Sequence, residues 1–200
     1  MDEKDKCAVD NFLSVIKDTI VNIDIDLEAI DAAANMIEES EKEGGRVHVS
    51  GIGKSAYVAG YAASLLSSTG SPSYYLHGTE AVHGSSGQLV AGDVLICISN
   101  SGETSELLAT TQAAKNNGAK IIGVSRSQDS TLSKLSDLAL IVGVEQEGGP
   151  LNRAPRASVL MQMVALQLLS VVLQSRKGLT PQQYVLRHPG GALGKLREGE

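Results

Sequence analysis

From residue 46 onward, short apolar runs alternate with longer stretches of helical spacing, and this alternation leaves few folds open to the chain. The runs lie at 46–50, 73–77, 93–99, 120–125 and 138–142. In Asp93-Val94-Leu95-Ile96-Cys97-Ile98-Ser99 every interior position is apolar, the pattern of a strand buried on both faces. Helical segments at 55–68 and 104–117, the second closed by Gly118, separate the runs. Strands separated by helices predict βα units, and hence a three-layer α-β-α fold around a five-stranded, mostly parallel sheet. Two helices are expected ahead of the first strand, at 11–23 and 26–43, the latter stopped by Gly44-Gly45. After the last strand come a long helix at 157–176 and a short one at 180–186. The long helix is apolar around most of its circumference, which suits a position inside the domain, a subunit contact, or both. Its apolar stretch is interrupted by Gln162 and Gln167 and reads as too short to span a bilayer comfortably.

Composition narrows the function classes. Aromatic residues make up 3% of the chain, with no Trp, which disfavours a nucleic-acid binder that stacks bases on aromatic rings. A net charge of −6 also disfavours broad attraction to nucleic acid or to an anionic membrane. An anionic ligand must therefore be held by local donors. Cys7 and Cys97 stand ninety residues apart and read as structural thiols of a reducing compartment. Residues 1–6 are charged with mixed sign and have no apolar run behind them, so no signal peptide is expected and the cytoplasm is the expected location.

Two turns carry chemistry. Gly51-Ile52-Gly53-Lys54-Ser55-Ala56 follows the first strand. A P-loop would need Gly where His48 stands. A dinucleotide fingerprint would need an acid at the end of the second strand, which instead runs Leu76-His77-Gly78, so no cofactor is expected. Lys54 and Ser55 nevertheless place a cation and a hydroxyl at a helix N-terminus, where free backbone N–H groups also attract an anion. The second turn, Ser99-Asn100-Ser101-Gly102-Glu103-Thr104, sets three hydroxyls around one Gly between a buried strand and a helix. Such a turn can hold a phosphate dianion through neutral hydrogen bonds and the helix dipole. The plainer alternative is that Ser101 or Thr104 simply caps the helix. In open α/β sheets ligands sit beyond the carboxyl ends of the strands, where both turns fall.

The segment Ser99-Asn100-Ser101-Gly102-Glu103-Thr104-Ser105-Glu106 resembles the signature of the sugar isomerase (SIS) domain. Together with Gly51-Ile52-Gly53-Lys54-Ser55, Glu80-Ala81-Val82-His83-Gly84 and His188-Pro189-Gly190-Gly191-Ala192-Leu193-Gly194, it resembles the D-arabinose 5-phosphate isomerase branch. The resemblance covers residues 46–196. It implies a tetramer with active sites shared between subunits, and an enediol route between D-ribulose 5-phosphate and D-arabinose 5-phosphate. It further implies Glu106 as the base, His83 and His188 as acid–base groups with one supplied by a neighbouring subunit, and Lys54 as an electrostatic stabiliser. Ser55, Ser99, Asn100, Ser101 and Thr104 fall at its phosphate-binding positions. Each assignment has a plainer rival: Glu106 as a favourable first-turn acid, and His83 and His188 as loop residues. His48 and His77 read as structural, and the histidines show no convincing metal spacing.

Two segments depart from the branch: Ser85-Ser86 replace an expected acid, and Asn152-Arg153-Ala154-Pro155-Arg156-Ala157-Ser158 replaces a Thr/Ser-rich stretch. The branch also usually continues into a pair of cystathionine β-synthase-type modules. The expectation here is a single domain over 1–200, its N-terminal helices at about 1–44 and its C-terminal tail, about 177–200, at a subunit interface. The rivals in function are a 6-phospho-3-hexuloisomerase and a non-catalytic sugar-phosphate sensor.

Overall fold

The computed structural model describes residues Met1–Glu200. Five strands, β1 (Val47–Gly51), β2 (Ser73–Tyr75), β3 (Val94–Ile98), β4 (Lys120–Ser125) and β5 (Leu138–Ile141), form one sheet in the order β2-β1-β3-β4-β5. Every pairing is parallel. Seven α-helices surround it: α1 (Glu3–Val21), α2 (Leu27–Lys42), α3 (Lys54–Thr69), α4 (Ser105–Asn116), α5 (Thr131–Leu135), α6 (Ala157–Lys177) and α7 (Pro181–Arg187). The three-layer fold read from the sequence is the fold observed.

The two faces of the sheet follow from the strand period of two. Val47, Val49, Ile96, Ile98, Ile122 and Val124 point into the larger core, against α2, α3 and α6. Leu95, Cys97 and Ile121 point the other way, into a smaller core under α4 and α5. Each fully buried Ile or Leu contributes about 1.5–3 kcal/mol. Burial raises the Cys97 thiol to about 12, so it stays protonated and inert. Polar clamps close the ends of the large core. Lys177 Nζ donates to Gly70 O at 2.9 Å, to Ser71 Oγ at 2.8 Å and to Glu41, tying α6 to α2 and α3. At the amino edge of the sheet, Asp93 accepts the backbone N–H groups of Arg46 and Val90, both at 2.9 Å. His48 Nε2 lies 3.3 Å from the same carboxylate without hydrogen-bond alignment, and both ring nitrogens are otherwise unpartnered.

Four details differ from the sequence expectation. β2 ends at Tyr75, and His77 instead closes a turn, its Nδ1 accepting the Glu80 N–H at 3.3 Å. The five-residue α5, unanticipated, starts where Ser130 Oγ accepts the Ser133 N–H. α1 begins at Glu3 because Asp2 caps it, accepting Asp5 N–H at 2.8 Å. α6 runs 21 residues with a mean hydropathy of 1.7 over its most apolar stretch, so by length and composition it could span a bilayer. What places α6 in this fold is packing: Met161, Ala165, Leu166, Leu169 and Leu173 line one buried face against α2 and α3.

Candidate active site

The strand order reverses direction between β1 and β3, opening a crevice beyond their carboxyl ends. α3 and α4 both begin there. α1, α2, α5 and α7 each start with a side-chain cap, from Asp2, Asp26, Ser130 and Thr180. Gly53 and Thr104 supply none to α3 and α4. Of their first-turn N–H groups, that of Ala56 bonds Gly53 O and that of Glu106 its own carboxyl, and the others are left for an external acceptor. The plain capping role open to Ser101 and Thr104 is therefore not the one they perform.

The β3–α4 turn is held open by its own hydroxyls. Ser99 Oγ accepts the Gly102 N–H at 3.1 Å and sits 3.0 Å from Thr104 Oγ1. Ser101, exposed, accepts the Glu103 N–H at 3.2 Å. Gly102 has a φ of +70°, and a Cβ there would lie 2.5 Å from Ser130 Cβ, so only Gly fits. Behind the turn, Ser125, Ser130 and Ser133 bond to one another at 2.9–3.1 Å. Leu132 N–H donates to Gly102 O, and Arg126 N–H to Asn100 O, both at 3.0 Å. Glu103 accepts the Thr131 N–H at 2.7 Å, and that bond holds its carboxyl below the usual range. Glu103 is thereby a brace. Asn100 Oδ1 and the hydroxyl of buried Ser50, at the end of β1, have no partner.

Glu106 stands exposed on the first turn of α4. Its own backbone N–H, then the Ser105 hydroxyl at 2.9 Å, hold its carboxyl below the ordinary value, so it is ionised at neutral pH. Lys54 opens α3, exposed, beside a mostly apolar hollow of about 300 Å³ lined by Tyr57, Tyr61, Pro155, Val159 and Met163. Ser55 turns inward, its hydroxyl donating to Gln162 Oε1 of α6 at 3.2 Å. The β2 loop is drawn to the same crevice: Thr110 of α4 bonds Gly78 O, and a Cβ on Gly78 would lie 3.2 Å from Gly51 O. This loop continues into the 3-10 turn Ala81–His83, where His83 is exposed.

His188 is not brought to this place. It ends α7, its ring stacked on Tyr184 at 4.0 Å and its Nδ1 2.9 Å from Tyr184 O. Arg187 reaches Gly70 at the far end of α3. Lys54 begins that helix, so His188 lies on the order of 20 Å from it within one copy. His77, His83 and His188 accordingly form no metal-ligand cluster in one chain.

Three supporting residues were given no role at the site from sequence. Gln162 is 1% exposed in an otherwise apolar helix, and that incongruity is the signal that could have marked it. Ser50 and Glu147 gave no signal. Glu147 accepts the N–H groups of Arg156 (2.7 Å) and Ser158 (3.1 Å) and so caps α6 from the preceding loop. Arg156 folds back onto Gly148 O at 3.2 Å.

Comparison with known proteins bears on the family and the fold. Residues 41–172 match the SIS domain model. The arabinose 5-phosphate isomerase KdsD of Pseudomonas aeruginosa is 38% identical over 151 residues, 76% of this chain and 46% of that protein. An uncharacterised protein of Helicobacter pylori is 38% identical over 170 residues, 85% of this chain and 51% of that protein. The chain thus spans about half the length of the curated relatives it matches. Among solved structures, an Escherichia coli CFT073 protein in complex with arabinose 5-phosphate superposes with a TM-score of 0.83. It is 34% identical, and the match covers 94% of this chain and all of that one.

Proposed function

Because the chain belongs to the SIS-domain family, we propose that it is an aldose–ketose isomerase interconverting D-ribulose 5-phosphate and D-arabinose 5-phosphate. The observation that carries this reading is the pair of uncapped helix N-termini at one crevice, with ionised Glu106 and Lys54 exposed beside them. The phosphate docks against residues 99–104 through the Ser101 and Thr104 hydroxyls and the first-turn N–H groups of α4. Asn100 and, across the crevice, Ser55 complete the phosphate site; Ser55 turns its hydroxyl proton from Gln162 Oε1 to the phosphate when the ligand docks. Glu106 removes the proton from the carbon beside the carbonyl and returns it to the neighbouring carbon. Between these steps a histidine moves the proton between the two oxygens, so the enediol forms and collapses without net gain or loss of protons. Lys54 lowers the energy of the negative oxygen.

His83 reaches the crevice from its own chain, and His188 is delivered by a second copy. The separation of His188 from Lys54 supports a homo-oligomer, a tetramer in this reading, with shared sites and the C-terminal tail at the subunit interface. In this reading the SIS domain works in the cytoplasm and its chemistry uses no cofactor or metal.

The test is incubation with ribulose 5-phosphate and chromatographic detection of arabinose 5-phosphate. Absence of turnover by a folded protein, across a panel that includes hexulose 6-phosphates, overturns the enzyme assignment. Turnover of a hexulose 6-phosphate alone would overturn the substrate.

A further inference from the structure

α1 extends over 19 residues without one buried side chain. The body of the molecule covers a single flank of it. Phe12 and Val15 rest on Gly148, at 3.1 and 3.4 Å from where a Cβ would stand, with Ala8 and Thr19 half-buried beside them. About 100° further round, Val9, Leu13, Ile16 and Ile20 form a second apolar stripe. Val9, Leu13 and Ile20 are 41%, 44% and 49% exposed, and Ile16 between them is half-buried. Their 4-3-4 spacing is that of a two-helix seam. Exposed Val21, Ile23 and Leu27 carry the apolar surface on towards α2.

We propose that α1 pairs antiparallel with α1 of a second copy, about a two-fold axis passing between Leu13 and Ile16. Val9 then meets the partner's Ile20, and Leu13 meets the partner's Ile16. The flanking charges select this orientation. Asp10 and Lys17 each follow a seam residue on the same side of the stripe, seven positions apart. Antiparallel pairing sets Asp10 against the partner's Lys17 and Lys17 against the partner's Asp10, two symmetric ion pairs. A parallel pair would instead bring Asp10 against the partner's Asp5. A lipid surface is the weaker occupant, because α1 carries three lysines against four acids and has no basic face. The proposed function already includes a homo-oligomer, so what tests the pairing is the response of the mass to changes on α1, and that response does not depend on turnover.

Light scattering coupled to size-exclusion chromatography, over a dilution series, tests it. The wild type is expected to associate, and Leu13→Glu with Ile20→Glu to lower the association constant on the order of a hundredfold or more. Asp10→Lys alone and Lys17→Asp alone place like charges together and weaken association about tenfold. The double exchange, Asp10→Lys with Lys17→Asp, restores the wild-type dissociation curve. Circular dichroism confirms helical content, and the two charge exchanges lie on the surface, so the decisive arm does not hinge on the seam variant folding. A monomeric wild type overturns the proposal. So do single charge variants that associate like wild type, a double exchange that fails to restore association, or seam variants that lose binding to phosphatidylcholine–phosphatidylserine vesicles but keep their mass.

Discussion

Gly102→Ala probes the phosphate turn where it has least room. At φ +70° an L side chain costs about 1–2 kcal/mol. The new methyl would also lie 2.5 Å from Ser130 Cβ, and a forced overlap of that kind costs about 1–3 kcal/mol more. The expected loss is therefore about 3 kcal/mol, or roughly 6–12 °C in Tm for a chain of this size. Urea unfolding followed by circular dichroism at a fixed protein concentration measures it, with phosphate-ligand binding by calorimetry alongside. Ser130→Gly removes the obstructing Cβ while leaving the φ cost. In a double-mutant cycle the pair should cost about 1–3 kcal/mol less than the sum of the singles. Additivity within about 0.5 kcal/mol would show that the turn yields elsewhere and that Ser130 does not set its shape. Unchanged ligand binding by Gly102→Ala would separate the turn from phosphate recognition.

Glu106→Gln should lower kcat by ~10²–10⁴ with little change in KM, and a small effect would make Glu106 a helix-stabilising acid only. Because its carboxyl lies below the ordinary value, the acid limb of kcat/KM that it sets should also fall below the usual glutamate range. Ser101→Ala should weaken inorganic phosphate binding on the order of tenfold in calorimetry while leaving the urea midpoint unchanged, since Ser101 is exposed and bonded only to Glu103 N–H. Burial, outweighing the attraction of Asp93, pushes His48 below 6.5. The unfolded chain therefore takes up that proton first, and stability present above pH 6.5 is lost as pH falls through the folded value. Urea midpoints from pH 7.5 down to pH 5 should show this decline, and His48→Gln should flatten it.

The sheet was legible because parallel strands are buried on both faces, so β3 and β4 announce themselves as unbroken apolar runs. β2 was overread by two residues: Tyr75 and His77 belong to a run of strand-forming side chains, but His77 is captured by the Glu80 N–H of the following turn. α5 escaped notice because five residues cannot display a helical period, and its start depends on one serine cap. At the site, the serine turn and Lys54 were visible as residue types beside glycines at strand ends. The inward rotation of Ser55 towards Gln162 was not, since it depends on α6 crossing α3, a contact 107 residues apart in sequence. His188 shows the same limit: its motif is legible, but its position at the distant end of α3 is a property of the folded chain.

The serine turn also governs how a ligand arrives. Its donors are neutral and act only within a few ångströms, whereas the chain carries a net charge of −6. A phosphate dianion is thus repelled at long range and held only on contact. Salt, which shortens the reach of that repulsion to about 10 Å at 0.1 M, should quicken the encounter here. For a site built on a basic patch it would slow it. Among the many anions of a cell, such a protein draws none from beyond the short reach of Lys54 and the helix N-termini, and its choice of ligand is made at close range.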